Sequence, residues 1–560
     1  MLHSSARRPP VAGHANSRFL AVAAGPRLSS AEEVVGRLQS SRSSCAKVFA
    51  IGVTATLAGS LASHRFRKTQ RGKSFRRAQR STLDTKLAPL AAPAGSAPAW
   101  RETYWFPVAS VLELDPSRPT PVQIDGLRLV VWHSPAAEDG QEGEWRVFAD
   151  ACPHRLAPLS EGRIEATTGC LQCAYHGWEF DTEGSCQRIP QMDDESSKRA
   201  RANPRANAIA YPTHVCYGLV WAWLGTQEPQ GAPEDYFVGT ELEKQKVFLT
   251  LTRDMPYGYD GLIENLLDPS HVPFAHHGLQ GTRDDAKPMS MTVPQVQGTS
   301  AVAEASSRTD LLKFDFTDRT VGMDREGSCF LQSPFLFYYE LDFIGGGIFP
   351  LFAALAGKNE KGGVRAPLLV SACIPVKPGT SRLIFIQSHA EGKDEYLELL
   401  PPAVQHILIN RFLDSDLAFL HFQERNLRRK NVASKWQDSF YMPAASDRSV
   451  AGWRSWLTRE GADVVRDDIT LPATPSREAL LDRYEQHTAH CVHCRQALEG
   501  LDKSQLLLGG VGLLALVVDR LSWAPAEWCV ILEVGSLALV AGLQRVRQEF
   551  YFVDYEHYKT

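Results

Sequence analysis

Two closely spaced pairs of sulfur and nitrogen ligands constrain this sequence more than any other feature. Cys152-Pro-His154 and Cys173-Ala-Tyr-His176 are separated by 18 residues, and each pair combines one thiol with one imidazole. Two thiolates and two neutral imidazoles suit a 2Fe–2S cluster, because imidazoles on one of the two irons raise the reduction potential. The spacing therefore predicts two loops that present Cys152, His154, Cys173 and His176 to one cluster.

Zinc is the alternative occupant of such a donor set. Structural zinc sites usually pair Cys with Cys and His with His, whereas both pairs here are mixed. Pro153 and the dipeptide Gly177-Trp178 complete two loops that resemble those of Rieske domains. Cys170 and Cys186 lie near the motif but outside it, and we expect them to be small buried residues.

A second ligand-rich segment, residues 264–277, contains three histidines and the two acids Glu264 and Asp268. Asp268 and His271 would share a helix face, but His271 and His276 would diverge by about 140° on one helix. We expect Pro273 to break the helix and turn His276 back. A helix start with a capping Asp268 and solvent-exposed histidines is the alternative.

Two histidines and one carboxylate form the facial triad of non-haem Fe(II) oxygenases, which leaves coordination positions open. His271 and His276 are the predicted histidine ligands. The carboxylate comes from a helical stretch further along the chain, where Asp416 is the first choice and Asp414 the second. Asp268 is expected to orient a ligand imidazole and to offer a bridge toward the cluster.

Together these motifs resemble the plastid Rieske non-haem iron oxygenases typified by pheophorbide a oxygenase. The residues that carry the resemblance, besides the cluster loops, are 105–108, 265–283, 416–424 and 483–494. The resemblance implies an α+β fold with an all-β Rieske domain, a helix-grip catalytic domain and a homotrimer. It also implies catalytic positions at Asp268 and Asn265, with electrons passing between subunits through Asp268.

The same resemblance implies a function in plastids. The substrate would be a chlorophyll-derived tetrapyrrole, oxidised by O2 with electrons from ferredoxin. A redox-sensing component of the plastid envelope translocon is the alternative, since relatives of that kind share the motifs. Chlorophyllide a oxygenase activity is a further alternative, although the Cys491-X-X-Cys494 tail departs from the pattern of that enzyme.

Cys491 and Cys494 allow three interpretations: half of a zinc site, a redox-active pair, or two inert thiols. Zinc stays possible because His490 and His493 lie beside them, but the sequence shows no second ligand pair nearby. The family resemblance favours a reducible disulfide that regulates activity, with thioredoxin as a possible partner.

The two ends of the chain differ in composition from its middle: the first part is basic, and the last part contains two apolar runs. The net charge is -4, yet basic residues crowd the first 86 positions, so we expect a removable targeting leader and no nucleic-acid surface. Near the other end, the apolar runs 506–518 and 528–543 predict a membrane hairpin, although Glu533 interrupts the second run and a buried helical pair is the alternative.

The predicted organisation has five parts: 1–99 presequence and linker, 100–230 Rieske domain, 245–475 mononuclear iron domain, 476–503 Cys-X-X-Cys segment, and 504–545 transmembrane hairpin.

Overall fold

A computed structural model describes most of the chain after the leader. The described residues are 99–135, 143–237, 241–279, 282–292, 295–298, 310–319, 324–332, 334–345, 364–365, 368–390, 398–429, 436–460, 470–555 and 557. The predicted presequence, except its last residue, lies outside them.

Antiparallel sheets dominate the described part of residues 99–237. The strands are β1 (Trp105–Ser110), β2 (Thr120–Ile124), β3 (Leu127–Ser134), β4 (Glu144–Ala149), β5 (Arg163–Ile164), β6 (Leu171–Gln172), β7 (Glu179–Phe180), β8 (Cys186–Arg188), β9 (Ala210–Tyr211), β10 (Thr213–Cys216) and β11 (Leu219–Trp223), with one helix, α1 (Asp194–Arg201). They form sheets in the orders β1-β11-β10, β2-β3-β4-β9 and β5-β6-β7-β8.

A larger antiparallel sheet follows. Its strands are β12 (Gln245–Met255), β13 (Ser290–Met291), β14 (Gln295–Gly298), β15 (Asp310–Asp318), β16 (Asp324–Gln332), β17 (Leu336–Gly345), β18 (Val364–Arg365), β19 (Leu368–Lys377) and β20 (Thr380–Ala390). The order is β12-β20-β19-β17-β16-β15-β13, with β14 on β15 and β18 on β17.

Helices lie between β12 and β13 of this sheet and after its last strand, β20. They are α2 (Tyr259–Leu266), α3 (Val272–Ala275), α4 (Pro402–Arg429), α5 (Arg448–Glu460) and α6 (Arg477–Leu480). Sheet and helices are segregated along the chain rather than alternating, so the α+β class is confirmed.

One hydrophobic core joins the large sheet to β1 and its neighbours. The Phe335 ring lies 4.5 Å from that of Phe106 and 5.6 Å from that of Trp100, measured between centroids. Phe337 is fully buried in the same core. The aromatic run 335–339 therefore contributes Phe335 and Phe337 to packing.

Helix α4 buries an unusual number of polar side chains for a packing helix. Its buried residues include His406, Asn410, Asp414, Asp416 and His421. A buried polar or charged group is costly unless it finds a partner. The partners of this helix therefore identify the sites described below.

The chain ends in two long helices, α7 (Val492–Arg520) and α8 (Ala526–Gln548). Arg547 donates to Asp502 at 2.6 Å, and Gln505 donates to Gln544 at 3.2 Å, so the helices pair at their base. Both are long and apolar enough to cross a membrane, since about 20 helical residues span the hydrocarbon core.

Candidate metal centres

Two tight loops hold the predicted cluster ligands. The Cys152 amide donates to the Ala157 carbonyl, and the Cys173 amide donates to the Trp178 carbonyl, both at 2.8 Å. Gly177 closes the second loop with a φ of 71°, a left-handed conformation that favours glycine. Each loop is thus closed by a backbone hydrogen bond around its ligands.

The four side chains fit a 2Fe–2S cluster. The thiols of Cys152 and Cys173 are buried, and the hydrogen bond between them raises the pKa of Cys152 and lowers that of Cys173. The ring centroids of His154 and His176 are 4.5 Å apart. His154 Nδ1 is buried without a hydrogen-bond partner in the described structure, which is the state expected of a metal-binding nitrogen.

A second group of candidate metal ligands begins just after α2. Asp268 caps a short 3-10 turn, Pro269–His271, by accepting from the Ser270 amide at 2.8 Å. Helix α3 follows at once and ends at Ala275, so that His276 is its C-terminal cap.

The expectation that Pro273 breaks a helix between the two histidines is wrong. Pro273 lies in the first turn of α3. There its missing N–H costs no helical hydrogen bond. The change of direction that aligns His271 with His276 comes instead from the junction of the 3-10 turn with this one-turn helix, which begins after His271.

Tertiary folding brings Asp416 of α4 to these histidines. The two Nε2 atoms of His271 and His276 are 3.2 Å apart, and Asp416 Oδ2 lies 3.6 Å from His276 Nε2 and 3.9 Å from His271 Nε2. Adjacent ligands of one ion are about 3 Å apart when each bond is about 2.1 Å. Asp416 Oδ1 is buried without a partner in the described structure. The donor set fits a mononuclear iron with open positions.

Burial sets the protonation of this group. It lowers the pKa of His276 to about 3, aided by the nearby His271 and His557. It also raises the pKa of Asp416 to about 6, against the attraction of His271. His276 is therefore neutral near pH 7, which is the form that binds metal.

Hydrogen bonds on the far side of each imidazole orient the rings. The His271 Nδ1–H donates to the backbone carbonyl of Asp268. The His276 Nδ1–H donates to Ser415 Oγ at 2.6 Å, because the Ser415 hydroxyl itself donates to the Phe412 carbonyl at 2.6 Å. Both Nε2 atoms thus turn a lone pair toward Asp416. Ser415 was not among the residues predicted from the sequence, although its position beside Asp416 was a usable signal.

Removal of the Ser415 hydroxyl tests this orientation. We expect Ser415→Ala to lower iron affinity about 10- to 100-fold, as for loss of other outer partners of ligand histidines. Competition with a chelator measures the affinity. The matched control is Ser371→Ala, since Ser371 is fully buried and its hydroxyl has no partner among the described residues. Equal iron loss in both variants would contradict the role of Ser415.

The other predicted residues take different positions. The side chain of Asp268 caps Ser270, with its second carboxylate oxygen 3.9 Å from His271 Nδ1, so its carbonyl rather than its carboxylate orients the ring. Asn265 Nδ2 lies 3.5 Å from His271 Nε2. The ring of His277 accepts from the Arg283 amide at 3.1 Å and is not part of the group.

Asp414, the second choice for the carboxylate, is occupied elsewhere. Its two oxygens accept from Arg253 Nη2 at 2.7 Å and Arg483 Nε at 2.6 Å, and all three side chains are buried. Asp414 therefore joins strand β12 to the segment after α6 through a charge network.

Replacing Asp414 with alanine would leave two guanidinium groups buried without this partner. We expect the free energy of unfolding to fall by about 3–5 kcal/mol, while iron binding is retained. Urea denaturation and iron analysis measure the two effects, with Asp438→Ala as an exposed control. Loss of iron at unchanged stability would instead make Asp414 the ligand.

Comparison with known proteins is consistent with both the candidate cluster ligands and the candidate iron ligands. Residues 104–206 match the Rieske [2Fe-2S] domain family, and residues 351–433 match the pheophorbide a oxygenase family. The chain is 36% identical to flavonoid 8-hydroxylase 2 of Ocimum basilicum, over 82% of this chain and 86% of that protein. It is 33% identical to pheophorbide a oxygenase of Oryza sativa subsp. japonica, over 82% and 85%.

The chain belongs to the pheophorbide a oxygenase family of Rieske oxygenases. It is also 32% identical to protochlorophyllide-dependent translocon component 52 of Arabidopsis thaliana, over 72% of this chain and 74% of that protein. The predicted family, α+β class and enzyme type are confirmed. A Rieske oxygenase uses a 2Fe–2S cluster and a mononuclear iron, and it needs an organic substrate, dioxygen and an electron donor. All three relatives are chloroplast proteins.

Proposed function

We propose that this Rieske oxygenase inserts oxygen into a chlorophyll-derived tetrapyrrole, with O2 as oxidant and reduced ferredoxin as electron donor. The observation that carries the oxygenase chemistry is the convergence of His271, His276 and Asp416 in a chain that also has the Rieske loops. The substrate class rests on the similarity to pheophorbide a oxygenase, which extends over most of both chains.

The ligand roles belong to the same proposal. Four residues would hold the cluster, namely Cys152, His154, Cys173 and His176. His271, His276 and Asp416 would hold the iron, which when bound offers open positions to dioxygen and substrate. The Asp268 carbonyl and the Ser415 hydroxyl fix the directions of the two imidazole rings. Asn265 Nδ2 lies 3.5 Å from the metal-facing Nε2 of His271, so the amide would border the iron position.

We propose that electrons cross between subunits of a homotrimer. Each cluster loop exposes one large hydrophobic side chain, Leu156 at 57% exposure and Tyr175 at 62%. The Asp268 side chain is also partly exposed, at 30%. A neighbouring subunit that covered Leu156 and Tyr175 would bring His154 or His176 toward its own Asp268.

Mixed trimers test this transfer. A chain with Cys173→Ser would lack the cluster, and a chain with His276→Ala would lack the iron. We expect each homotrimer to be inactive and co-assembled chains to regain activity, because a cluster in one subunit then serves the iron in the next. Mixtures that stay inactive while forming trimers would overturn the intersubunit route.

The proposal places the enzyme at a plastid membrane, anchored by α7 and α8. Their length and hydropathy support a membrane hairpin over residues 504–545. The domain bounds 100–230, 245–475 and 476–503 remain part of the proposal. Thioredoxin is not proposed as a partner, because Cys491 and Cys494 are only 0% and 1% exposed and a thioredoxin could not reach their thiols.

The decisive experiment supplies pigments to the full-length protein. We expect oxygen uptake and an oxygenated product with pheophorbide, chlorophyllide or protochlorophyllide in the presence of reduced ferredoxin. Omission of ferredoxin is the control. No turnover of any pigment by protein that contains both metal centres would sink the tetrapyrrole proposal.

Flavonoid hydroxylation is the second candidate. It is favoured by the 36% identity to flavonoid 8-hydroxylase 2, which covers 86% of that protein. Flavones in the same assay distinguish the candidates, since the proposed enzyme turns over pigment in preference to flavone. A redox-sensing protein without turnover, the alternative expected from the sequence, would consume no oxygen with either class.

A further inference from the structure

A third cluster of metal-binding side chains lies away from both oxygenase centres. Cys491 and Cys494 stand at the start of α7, and the structure brings two imidazoles to them. One is His406 of α4, 88 residues before Cys494, and the other is His487, in the segment after α6. All four residues are buried. The sequence showed no second ligand pair beside the two cysteines, and the fold brings one to them.

The four donor atoms face one another. His406 Nδ1 lies 3.1 Å from His487 Nε2, 3.3 Å from Cys494 Sγ and 3.5 Å from Cys491 Sγ. His487 Nε2 lies 3.3 Å from Cys494 Sγ. A tetrahedral zinc ion with bonds of about 2.05 Å to nitrogen and 2.3 Å to sulfur separates two nitrogens by about 3.3 Å, and nitrogen from sulfur by about 3.6 Å. The spacing is close to that of a tetrahedron.

We propose that His406, His487, Cys491 and Cys494 bind one structural zinc ion. Two thiolates balance the charge of Zn2+ in a site with no access to solvent. Four protein ligands fill the tetrahedron, which distinguishes a structural zinc site from a catalytic one with an open position. The same closed set does not suit the mononuclear iron of the oxygenase, which needs free positions.

The surroundings prepare His487 for this role. Its Nδ1–H donates to the Thr252 carbonyl at 2.7 Å, so Nε2 offers its lone pair to the cluster. Thr252 is fixed in turn, because its amide and its hydroxyl each donate to the carboxylate of Glu113 at 3.0 Å. A histidine ligand held from behind in this way is typical of protein metal sites.

A regulatory disulfide is the competing explanation. A reactive cysteine pair needs solvent access and an electropositive surrounding. The thiols of Cys491 and Cys494 are buried, and both are free thiols in the structure. A disulfide also gives no reason for two imidazole nitrogens to face the sulfur atoms. The two neighbouring histidines suggested by the sequence are not ligands: the ring of His493 lies 6.4 Å from that of His406, and His490 is outside the group.

The site joins the last part of the chain to the catalytic helix. His406 belongs to α4, which also carries Asp416, while the other three ligands precede or begin α7. A zinc ion at this place would tie the base of α7 to the helix that supplies the iron carboxylate. Its loss should therefore loosen α4, although the zinc takes no part in oxygen chemistry.

Metal analysis of the full-length protein tests the proposal independently of any substrate. We expect about one equivalent of zinc per chain in addition to iron, and cobalt(II) bound in its place should show the visible and thiolate-to-metal bands of a tetrahedral thiolate site. His406→Ala and Cys494→Ser should each lose zinc by more than about tenfold while the cluster absorption is retained. His493→Ala, the matched control, should keep it.

Thiol labelling of the unmodified protein separates zinc from a disulfide even where a variant fails to fold. With zinc bound, Cys491 and Cys494 become alkylated after a chelator is added without reductant. A disulfide predicts alkylation after reductant alone. Protein that contains iron but less than about a tenth of an equivalent of zinc, or whose two thiols respond only to reductant, overturns the proposal, whereas failure to oxidise pigment leaves it intact.

Discussion

His276→Ala will remove the mononuclear iron and abolish oxygenation while the 2Fe–2S cluster stays in place. The imidazole is one of three donors whose atoms are 3.2 to 3.9 Å apart, in a group where His276 and Asp416 are buried and His271 is half-buried. Loss of an outer partner costs about 10- to 100-fold, so loss of a direct ligand should cost well over about 100-fold in turnover. Iron analysis, cluster absorption and oxygen uptake measure the three effects.

His277→Ala is the matched control, because it removes the neighbouring imidazole from the same short segment. In the described structure the ring of His277 accepts a backbone hydrogen bond from the Arg283 amide and lies outside the iron group. We expect iron content and turnover close to those of the unmodified protein. Equal losses in the two variants would mean that the segment responds to disruption in general and that His276 has no special role.

Cys173→Ser will prevent the 2Fe–2S cluster from assembling. The Cys173 thiol is buried against that of Cys152, in a loop closed by the Trp178 carbonyl. We expect the visible absorption and the paramagnetic signal of the reduced cluster to disappear. Turnover should disappear as well, because the proposed electron route to the iron passes through the cluster. Iron bound by His271, His276 and Asp416 should be retained.

Cys170→Ala serves as the control for this second change. Cys170 is another buried thiol, close in sequence, but it belongs to neither cluster loop. The cluster signal should survive, with at most a small loss of stability from the missing sulfur atom. A normal cluster in Cys173→Ser, or its absence in Cys170→Ala, would show that the four ligands have been assigned incorrectly.

Local sequence was sufficient where ligands lie within a few residues of one another. Cys152 and His154 share one loop and Cys173 and His176 another, so spacing alone indicated how each pair is presented. The same holds for His271 and His276, although the predicted backbone conformation between them, a helix broken at Pro273, was wrong. Pro273 is tolerated in the first helical turn as readily as at a break, and short-range patterns do not separate these two outcomes.

Long-range contacts were decided only by the tertiary structure. Asp414 and Asp416 are both acids on one helix, but Asp414 faces Arg253 and Arg483 while Asp416 faces His276. Ser415 lies 139 residues from the histidine that it orients, and His406 lies 88 residues from Cys494. No periodicity in the sequence links such pairs.

The sequence by itself therefore determined the family and the α+β class. It also predicted the ligands of the two cluster loops and the two histidines of the proposed iron group, because the members of each pair are close together in the chain. Only the tertiary structure showed that Asp416 rather than Asp414 lies beside His271 and His276, and that Ser415 hydrogen-bonds His276. It also placed two imidazoles beside Cys491 and Cys494. The physical reason is burial. A helix such as α4 can bury polar side chains only where other segments of the chain supply partners for them, and the tertiary fold decides which segments those are.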